Sequence, residues 1–245
     1  MRLDQAIAAR HPELSRRKAR ELIAAKRVFV NDRPVGVASR EVSEKDRITI
    51  AESLPDLDII RETPDWVAVN KPTGMPTQPA RDRKHRSLEE LVRIRYRSMH
   101  LIHRIDTQTS GVVVFAKHKK SAAELSALFA ARAIRKTYLA VVEGRIDAER
   151  GIDTPIEGKT ALTIIRPIRA LDAATTLIEA DILTGRTHQI RIHMQSIGHP
   201  VVGDRRYGST INAARLMLHA WKLSHPTLGD ELVASLPADF PPVAS

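Results

Sequence analysis

The stretch His103 to Lys117, HRIDTQTSGVVVFAK, places one acidic side chain ahead of a run of β-forming residues. Val112 to Phe115 is a short apolar run of the kind that forms a buried strand. Asp106 lies on the connecting segment before this run, and segments held by a rigid scaffold often carry chemistry. We therefore expect Asp106 beside the core of a sheet, either as a catalytic acid or as a structural acid that pairs with Arg104.

The composition predicts a globular chain that binds a polyanion. Hydrophobic residues make up 42% of the 245 residues, which is enough to bury a core. Lys and Arg number 39 against 29 Asp and Glu, giving a net charge of +10. Such a charge favours nucleic acid as partner, with an anionic membrane surface as the second choice. No apolar run approaches the roughly 20 residues that span a bilayer, so no membrane association is expected.

Cysteine is absent from the chain. The fold is therefore expected to need neither disulfides nor thiolate metal sites, which is compatible with a cytoplasmic protein. We expect the protein to be a monomer with no cofactor, no metal and no obligatory protein partner.

Residues 1–50 have the pattern of a small separate module. Ser15 is placed to cap a helix whose apolar positions Ala19, Leu22 and Ile23 recur at helical spacing. Short β-forming runs follow at Val28 to Val30 and at Arg47 to Ile50, with a turn at Asn31 and Asp32 between them.

Basic side chains with few acidic neighbours cover the other face of this helix and the residues that follow it. Such a face is either a solvated surface or a contact surface for RNA phosphates, and the low number of acidic neighbours favours phosphates. The candidate RNA-binding residues are Arg16, Arg17, Arg20, Lys26 and Arg27.

Residues 51–58 are acidic and contain a proline, so we predict a linker there and a second domain over 59–245. Strand-like and helix-like runs alternate in this domain, with strands at Trp66 to Val69, Thr137 to Val142 and Thr176 to Ile182. Ser121 and Glu124 have capping-box spacing, which predicts a helix start at Ser121. A further helix is predicted over Thr187 to Ile197, ended by Gly198. The order of elements predicts an α+β fold.

The string Thr184 to Arg191, TGRTHQIR, is the second chemistry-bearing motif. His188 and His193 could suggest a metal site. Five residues along a helix, however, turn a side chain about 140° away. No third ligand is close in sequence, so we do not expect a metal.

These strings resemble the motifs of RluA-type pseudouridine synthases. The resemblance rests on His103-Arg104-Ile105-Asp106 followed by Thr109-Ser110-Gly111, where Ile105 stands for the family's Leu. It extends through Lys136-x-Tyr138 and the TGRTHQIR string, and three supporting segments add to it: 69–74, 198–204 and 218–220. It implies a catalytic domain built on a central mixed, largely antiparallel sheet with the active cleft along its middle.

Residues 1–50 in turn resemble the S4 domain, a small α/β RNA-binding module. That resemblance rests on Arg2-Leu3-Asp4, on Ser15 to Ala19 and on Val28 to Asn31. The family often has Gly after the Asn of the turn, whereas this chain has Asp32, which tolerates the same left-handed conformation.

The resemblance to the synthases implies a role for each site residue. Asp106 would be the nucleophile, and a basic residue, Arg191 or alternatively Arg186, would pair with it. Tyr138 would stack on the target base and help to remove its proton, although a strand Tyr is ordinarily a core aromatic. Arg104 would fill the gap left by a flipped base, with simple pairing to Asp106 as the alternative.

The remaining substrate-binding candidates are Arg186, His103 and Thr109. The implied activity is isomerisation of uridine in structured RNA, with large-subunit ribosomal RNA favoured as substrate. A transfer-RNA enzyme and a non-catalytic ribosome-assembly factor on the same fold are the alternatives. A metal-dependent nuclease would need clustered carboxylates near His188 and His193, and the sequence offers none there.

Overall fold

The structure is a computed structural model that describes residues 1–25, 27–31, 33–50, 56–79, 86–96 and 98–243. The chain divides into two compact units. The first unit comprises Met1–Asp56 with Leu91–Arg97, and the second comprises Leu57–Glu90 with Ser98–Ser245. Residues 51–55 of the expected linker lie outside the described residues. The boundaries 1–50, 51–58 and 59–245 therefore stay a prediction.

The first unit combines two helices with a three-stranded antiparallel sheet of order β2-β1-β3. Its elements are α1 Leu3–Arg10, α2 Arg16–Ala24, β1 Val28–Val30, β2 Arg33–Pro34 and β3 Ile48–Ile50. The predicted cap of α2 is confirmed, because the Ser15 side chain accepts a hydrogen bond from the backbone N–H of Lys18. Asp32 of the predicted turn lies outside the described residues.

The apolar helical positions of this unit form one core with the short sheet. Ala19, Leu22 and Ile23 of α2 are all buried there, as the helical spacing predicted. They pack against Leu3 and Ile7 of α1.

The second unit is built on ten strands. They are β4 Ile59–Glu62, β5 Trp66–Lys71, β6 His100–Leu101, β7 Ser110–Ala116, β8 Arg135–Glu143, β9 Arg150–Ile152, β10 Thr163–Ala170, β11 Thr175–Ile182, β12 Leu218–His225 and β13 Asp230–Val233. Its helices are α4 Lys119–Ala130 and α5 Gln189–Ser196, with 3-10 turns at Arg205–Tyr207 and Pro226–Leu228. Helix α3, Leu88–Arg95, spans the division between the two units.

The strands form a single mixed sheet of order β4-β5-β7-β12-β8-β11-β10-β9, with β13 on β12 and β6 on β7. All the pairings between its described strands are antiparallel except that of β7 with β12, which is parallel. The predicted mixed, largely antiparallel sheet is confirmed. The parallel pair is a junction where two antiparallel halves of the sheet meet.

The sheet is covered by apolar packing on both faces. Alternate residues of β8 enter two different core clusters, because successive side chains of a strand point to opposite faces. Ala140 and Val142 pack with Ile190 and Met194 of α5, whereas Leu139 packs in the cluster that contains Phe240.

The β7–β12 junction depends on a glycine. Gly111 has φ of +121°, and a Cβ atom there would collide with the backbone of Ala220 on β12. Only a residue without a side chain permits this approach. Asp106 lies four residues before β7, so the junction also determines where the Asp106 loop emerges.

A buried polar network ties β7 to β12 beside this glycine. The Arg215 guanidinium donates to Ser110 Oγ at 2.6 Å, and Ser110 Oγ lies 2.8 Å from His219 Nδ1. The other ring nitrogen of His219 faces the carbonyl of Ala234 at 3.4 Å. Burial lowers the pKa of His219 to about 4, so the ring is neutral at physiological pH.

Two helix starts differ from their predictions. Helix α4 begins at Lys119, because the His118 ring accepts a hydrogen bond from the Ser121 backbone N–H and so takes the cap position assigned to Ser121. Helix α5 begins at Gln189 and not at Thr187, because His188 adopts a left-handed conformation with φ of 55°. No helix in the described part of the chain is long and apolar enough to cross a membrane.

Replacing Gly111 by Ala should destabilise the second unit by about 3 kcal/mol or more, from left-handed strain and overpacking together. The measurement is the urea midpoint by tryptophan fluorescence, since both tryptophans, Trp66 and Trp221, lie in this unit. Gly151→Ala is the control, because nothing lies within 4 Å of a Cβ atom there. Equal midpoints for the two variants would contradict the role given to Gly111.

Candidate active site

Asp106 lies on the loop between β6 and β7, and the wall formed by residues 71–77 fixes the backbone of this loop. The Thr77 hydroxyl donates to the Ile105 carbonyl at 2.7 Å and accepts from the Ile105 N–H at 3.3 Å. The Thr73 hydroxyl donates to the carbonyl of Gln108 at 2.7 Å. The loop therefore has a defined position before any ligand binds.

Lys71 is a further support of the loop. Its ammonium is buried and donates to the carbonyls of Met75 at 2.6 Å, Pro72 at 2.9 Å and Thr107 at 3.1 Å. Burial lowers the pKa of Lys71 to about 7, although the charge of Asp106 acts to raise it. The sequence named residues 69–74 only as a segment that supports the family resemblance and did not identify Lys71 as a support of the loop.

Two side chains approach the Asp106 carboxylate from the start of α5. Arg191 Nη1 lies 3.6 Å from Asp106 Oδ2, and His188 Nε2 lies 3.7 Å from the same oxygen. The Asp106 side chain is 30% exposed, so its carboxylate is partly open to solvent and partly enclosed by these donors.

Arg191 is the arginine that faces Asp106, and it is held by a second acid. Asp204 accepts from Arg191 Nε at 2.6 Å and from Nη2 at 2.8 Å, and both side chains are buried. This bidentate pair leaves Nη1 directed at Asp106. Burial acts to lower the pKa of Arg191, but Asp204 and Asp106 outweigh burial and raise it.

Arg186 has a different environment. Its Nε donates to the carbonyl of Thr160 at 3.0 Å, and no ion pair with Asp106 is present among the described residues. Arg186 lies at the edge of the smaller cavity described below. Of the two arginines that the sequence left open, the geometry therefore places Arg191 beside the carboxylate.

His188 and His193 do not share a site. The His193 ring is buried, with Nδ1 2.9 Å from the Thr163 hydroxyl and Nε2 2.9 Å from the Thr154 carbonyl. The His188 ring faces Asp106 on one side, and its Nδ1 lies 2.8 Å from the Tyr207 hydroxyl. Across the described residues, no group of three or more His, Asp or Glu side chains could hold a metal ion.

Two cavities meet at Asp106. The smaller, of about 430 Å³, is lined by Tyr138, Leu218 and Ile182 with the side chains of the HRID and TGRTHQIR motifs. The larger, of about 1050 Å³, is a cleft between residues 73–79 on one side and residues 203–216 on the other. Asp106, Arg104, His188 and Arg191 line both.

Tyr138 lies on β8, opposite Ala180 of β11 and Ala220 of β12. Burial, together with the nearby charge of Asp106, raises the pKa of the Tyr138 phenol above its ordinary value. The hydroxyl is therefore protonated at neutral pH.

His103 and Thr109 line the smaller cavity from within the Asp106 segment. His103 Nε2 accepts from the Val114 N–H at 3.1 Å, and the ring stacks on Phe129 at a centroid distance of 4.5 Å. Burial lowers the pKa of His103 to about 3, so the ring is neutral. The Thr109 hydroxyl is buried without a hydrogen-bond partner among the described residues.

Arg104 is exposed at the mouth of both cavities. Within the described residues it forms no ion pair with Asp106, so the simple pairing considered from sequence is absent. The guanidinium is therefore available to a ligand.

Part of the basic face in the first unit is neutralised by a residue that the sequence pattern did not include. Asp4 of α1 is fully buried and receives Arg20 at 2.8 Å and Arg16 at 3.2 Å. Burial acts to raise the pKa of Asp4, but the arginine hydrogen bonds outweigh it and lower the pKa to about 2. The prediction that the basic side chains of α2 have few acidic neighbours was therefore wrong, because it did not include Asp4.

The other basic candidates of this face differ in exposure. Arg17 is 91% exposed and lies 3.8 Å from Glu21. Arg27 is half-buried. Lys26 lies outside the described residues.

Comparison with known proteins agrees with this geometry. A model of the RNA pseudouridylate synthase family matches residues 65–196, and a model of the S4 domain matches residues 1–48. The chain is 36% identical over 227 residues to the dual-specificity RNA pseudouridine synthase RluA of Vibrio vulnificus, covering 80% of this chain and 91% of that protein. It is 30% identical over 264 residues to ribosomal large subunit pseudouridine synthase D of Nitrosomonas europaea, covering 91% of this chain and 76% of that protein.

Solved structures show the same relationship. Human RNA pseudouridylate synthase domain containing 1 matches with a TM-score of 0.65 and 26% identity, over 80% of this chain and 89% of that chain. The match to a synthase family model and the match to an S4 domain together identify an enzyme that acts on RNA. The chain belongs to the RNA pseudouridylate synthase family and is an isomerase. The predicted resemblance, fold class and enzyme class are confirmed.

Asp204→Asn should destabilise the second unit, because it leaves the buried Arg191 cation without its bidentate partner. Breaking a buried pair typically costs about 3–5 kcal/mol. The measurement is the urea midpoint by tryptophan fluorescence. Asp147→Asn is the matched control, since Asp147 and Arg145 are each 71% exposed and pair at 2.7 Å. Its expected loss is about 0–1 kcal/mol, and a similar loss for Asp204→Asn would contradict the assignment.

Proposed function

We propose that this chain isomerises uridine to pseudouridine in large-subunit ribosomal RNA, with the Asp106 carboxylate as the nucleophile. The observation that carries this proposal is the position of Asp106. Among the described residues that line the smaller cavity it is the only carboxylate, and it also borders the larger cleft. A uridine in the smaller cavity would meet Asp106 while the adjoining RNA lies in the cleft.

The size of the smaller cavity suits one nucleotide. Its volume of about 430 Å³ lies within the range of roughly 300–1,000 Å³ that small-molecule sites occupy. A uridine stacked in folded RNA reaches such a site only after it has been flipped out of the stack.

Arg191 supports the nucleophile electrostatically. Arg191 Nη1 lies 3.6 Å from Asp106 Oδ2, and opposite charges at this distance attract. Because Asp204 holds the guanidinium, the cation keeps this position as the substrate enters.

The chemistry is a rearrangement within one nucleoside. Asp106 bonds covalently to the nucleoside, the bond between uracil N1 and ribose C1′ breaks, and the base turns. A new bond forms between C5 and C1′, the bond to Asp106 breaks and restores the carboxylate, C5 loses its proton and N1 gains one. No oxidation state changes and no water is consumed, so the reaction requires neither a cofactor nor a metal.

Tyr138 would form one wall of the base site. Stacking of a base on an aromatic ring is worth roughly 1–3 kcal/mol. Burial and the charge of Asp106 raise the pKa of the Tyr138 phenol. Help in removing the C5 proton, which the resemblance also suggested for Tyr138, stays a prediction.

Arg104 would occupy the gap that the flipped uridine leaves. A planar guanidinium can both stack and hydrogen-bond base edges, and Arg104 is exposed where the two cavities meet. Arg186, His103 and Thr109 would complete the walls of the base site.

The S4 domain supports a structured RNA as the substrate. Arg17 would contact phosphate directly, whereas Arg16 and Arg20 would contribute while paired with Asp4. The relative from Nitrosomonas europaea is named as a large-subunit enzyme, which favours ribosomal over transfer RNA.

Asp106→Asn should abolish turnover while RNA affinity stays within about twofold of wild type, because the amide keeps the shape but cannot act as a nucleophile. The measurement is tritium release from RNA labelled at C5 of its uridines. Asp147→Asn serves as the control and should release tritium at the wild-type rate. Substantial release by Asp106→Asn would refute the nucleophile assignment.

The same assay identifies the substrate. Unmodified large-subunit ribosomal RNA and unmodified transfer RNA are compared with wild-type enzyme, without added metal beyond that needed to fold the RNA. Release from ribosomal RNA alone supports the proposal. Release from transfer RNA alone makes the chain a transfer-RNA enzyme, and release from neither, with RNA binding intact, favours a non-catalytic factor.

Deleting residues 1–50 should weaken RNA affinity and reduce the steepness of its salt dependence, because phosphate contacts are lost. Tryptophan emission reports whether the second unit remains folded, since it contains both tryptophans. Loss of the native emission would show that the two-domain boundary is misplaced. An unchanged RNA affinity would show that the first unit does not contribute to RNA binding.

A further inference from the structure

Two residue pairs with equal spacing meet beside Asp106. His188 and Arg191 lie three residues apart at the start of α5, and Asp204 and Tyr207 lie three residues apart around the 3-10 turn. Asp204 binds Arg191 at 2.6 and 2.8 Å, and the Tyr207 hydroxyl lies 2.8 Å from His188 Nδ1. Arg191 and His188 both face the Asp106 carboxylate, and each is bound on its far side by one residue of the 204–207 segment.

The His188 backbone is strained. Its φ of 55° places a residue other than glycine in the left-handed region. Such a conformation persists where surrounding contacts impose it, and it is common at functional sites. Here it sets the N-terminal boundary of helix α5, and the His188 ring faces Asp106.

The hydrogen bond between the Tyr207 hydroxyl and His188 Nδ1 couples the hydroxyl to the tautomer of His188. When the Tyr207 hydroxyl donates to Nδ1, the ring proton is on Nε2, which faces Asp106 Oδ2. The opposite tautomer would direct a nitrogen lone pair at a carboxylate, which is repulsive. Burial lowers the pKa of His188, as do Arg191 and Arg206, while Asp106 and Asp204 act to raise it.

We propose that His188 is a positioning residue for Asp106: together with Arg191 it holds Oδ2 and leaves Oδ1 free to react, and Tyr207 keeps His188 in the required tautomer. This inference rests on the proposed role of Asp106 as nucleophile. Both contacts go to the same oxygen, at 3.6 and 3.7 Å. Two contacts to one oxygen limit the rotation of the carboxylate, and catalytic contacts of this length tighten when substrate binds.

The first test is kinetic. His188→Asn removes the imidazole while keeping a residue that tolerates the left-handed backbone. Its kcat for tritium release should fall roughly 10²-fold, the loss expected when a reacting group is misplaced by about 1 Å, with KM unchanged. Tyr207→Phe removes only the hydroxyl and should lower kcat about tenfold.

The double variant separates a shared role from independent ones. If Tyr207 acts through His188, the double variant has the same kcat as His188→Asn alone. If the two residues act independently, their fold-losses in kcat multiply. His225→Asn is the control for the histidine change, because His225 caps a 3-10 turn by accepting from the Thr227 N–H, a role that Asn fills. A raised KM with unchanged kcat in His188→Asn, or multiplicative losses, would overturn the inference.

The second test is spectroscopic and does not depend on turnover. In protein labelled with ¹⁵N in its histidine rings, the signal missing from His188→Asn should show the proton on Nε2. That signal should shift in Asp106→Asn and lose its tautomer preference in Tyr207→Phe. A proton on Nδ1 in wild type would refute the assignment.

In the same kinetic assay, Asp106→Asn separates failure of the proposed function from failure of the positioning role of His188. If it retains turnover, the proposed function fails whatever His188 does. If it is inactive while His188→Asn turns over at the wild-type rate, Asp106 keeps its role and only the positioning role of His188 fails.

Discussion

The guanidinium of Arg191 connects the stability of the fold with the chemistry of the site. It lies between a buried acid, Asp204, and a partly exposed acid, Asp106. A cation buried in this way needs compensation, and Asp204 supplies it through two short hydrogen bonds. The third guanidinium nitrogen, Nη1, therefore faces Asp106. A rigid scaffold can thus present a carboxylate in a fixed position at the junction of two cavities.

The place of the site follows from the strand order. Two antiparallel halves of the sheet meet at the parallel β7–β12 pair, and Gly111 permits the close approach there. The Asp106 loop enters β7 at this junction, and Tyr138 lies on β8, the next strand beyond β12. Residues far apart in the chain converge because the junction brings their strands together.

Local features were predictable from the sequence, and long-range ones were not. The strand at Val112 to Phe115 and the Ser15 cap depend on neighbouring residues, and both were found. The motifs predicted catalytic roles for Asp106, Tyr138 and Arg191, and all three line the smaller cavity, while the roles themselves stay predictions. The Asp4 contacts of α2 and the Asp204 pair each require a partner that the local pattern does not contain. The His118 cap is local, but histidine is not among the preferred capping residues, so the pattern favoured Ser121 instead. His188 was considered only as a metal ligand, because nothing nearby in sequence shows its contact with Tyr207.

The network of Ser110, His219 and Arg215 has a consequence for how the protein responds to chemical probes. A serine hydroxyl 2.8 Å from a histidine nitrogen has the distance of an activated nucleophile. Here the serine oxygen also accepts from Arg215, both Ser110 and His219 are buried, and the far side of the ring faces a backbone carbonyl. Because Ser110 is buried and its oxygen is already hydrogen-bonded, this oxygen is shielded from an acylating reagent. The pair is therefore inert toward serine-directed labels, and its proton network serves to hold the two halves of the sheet together.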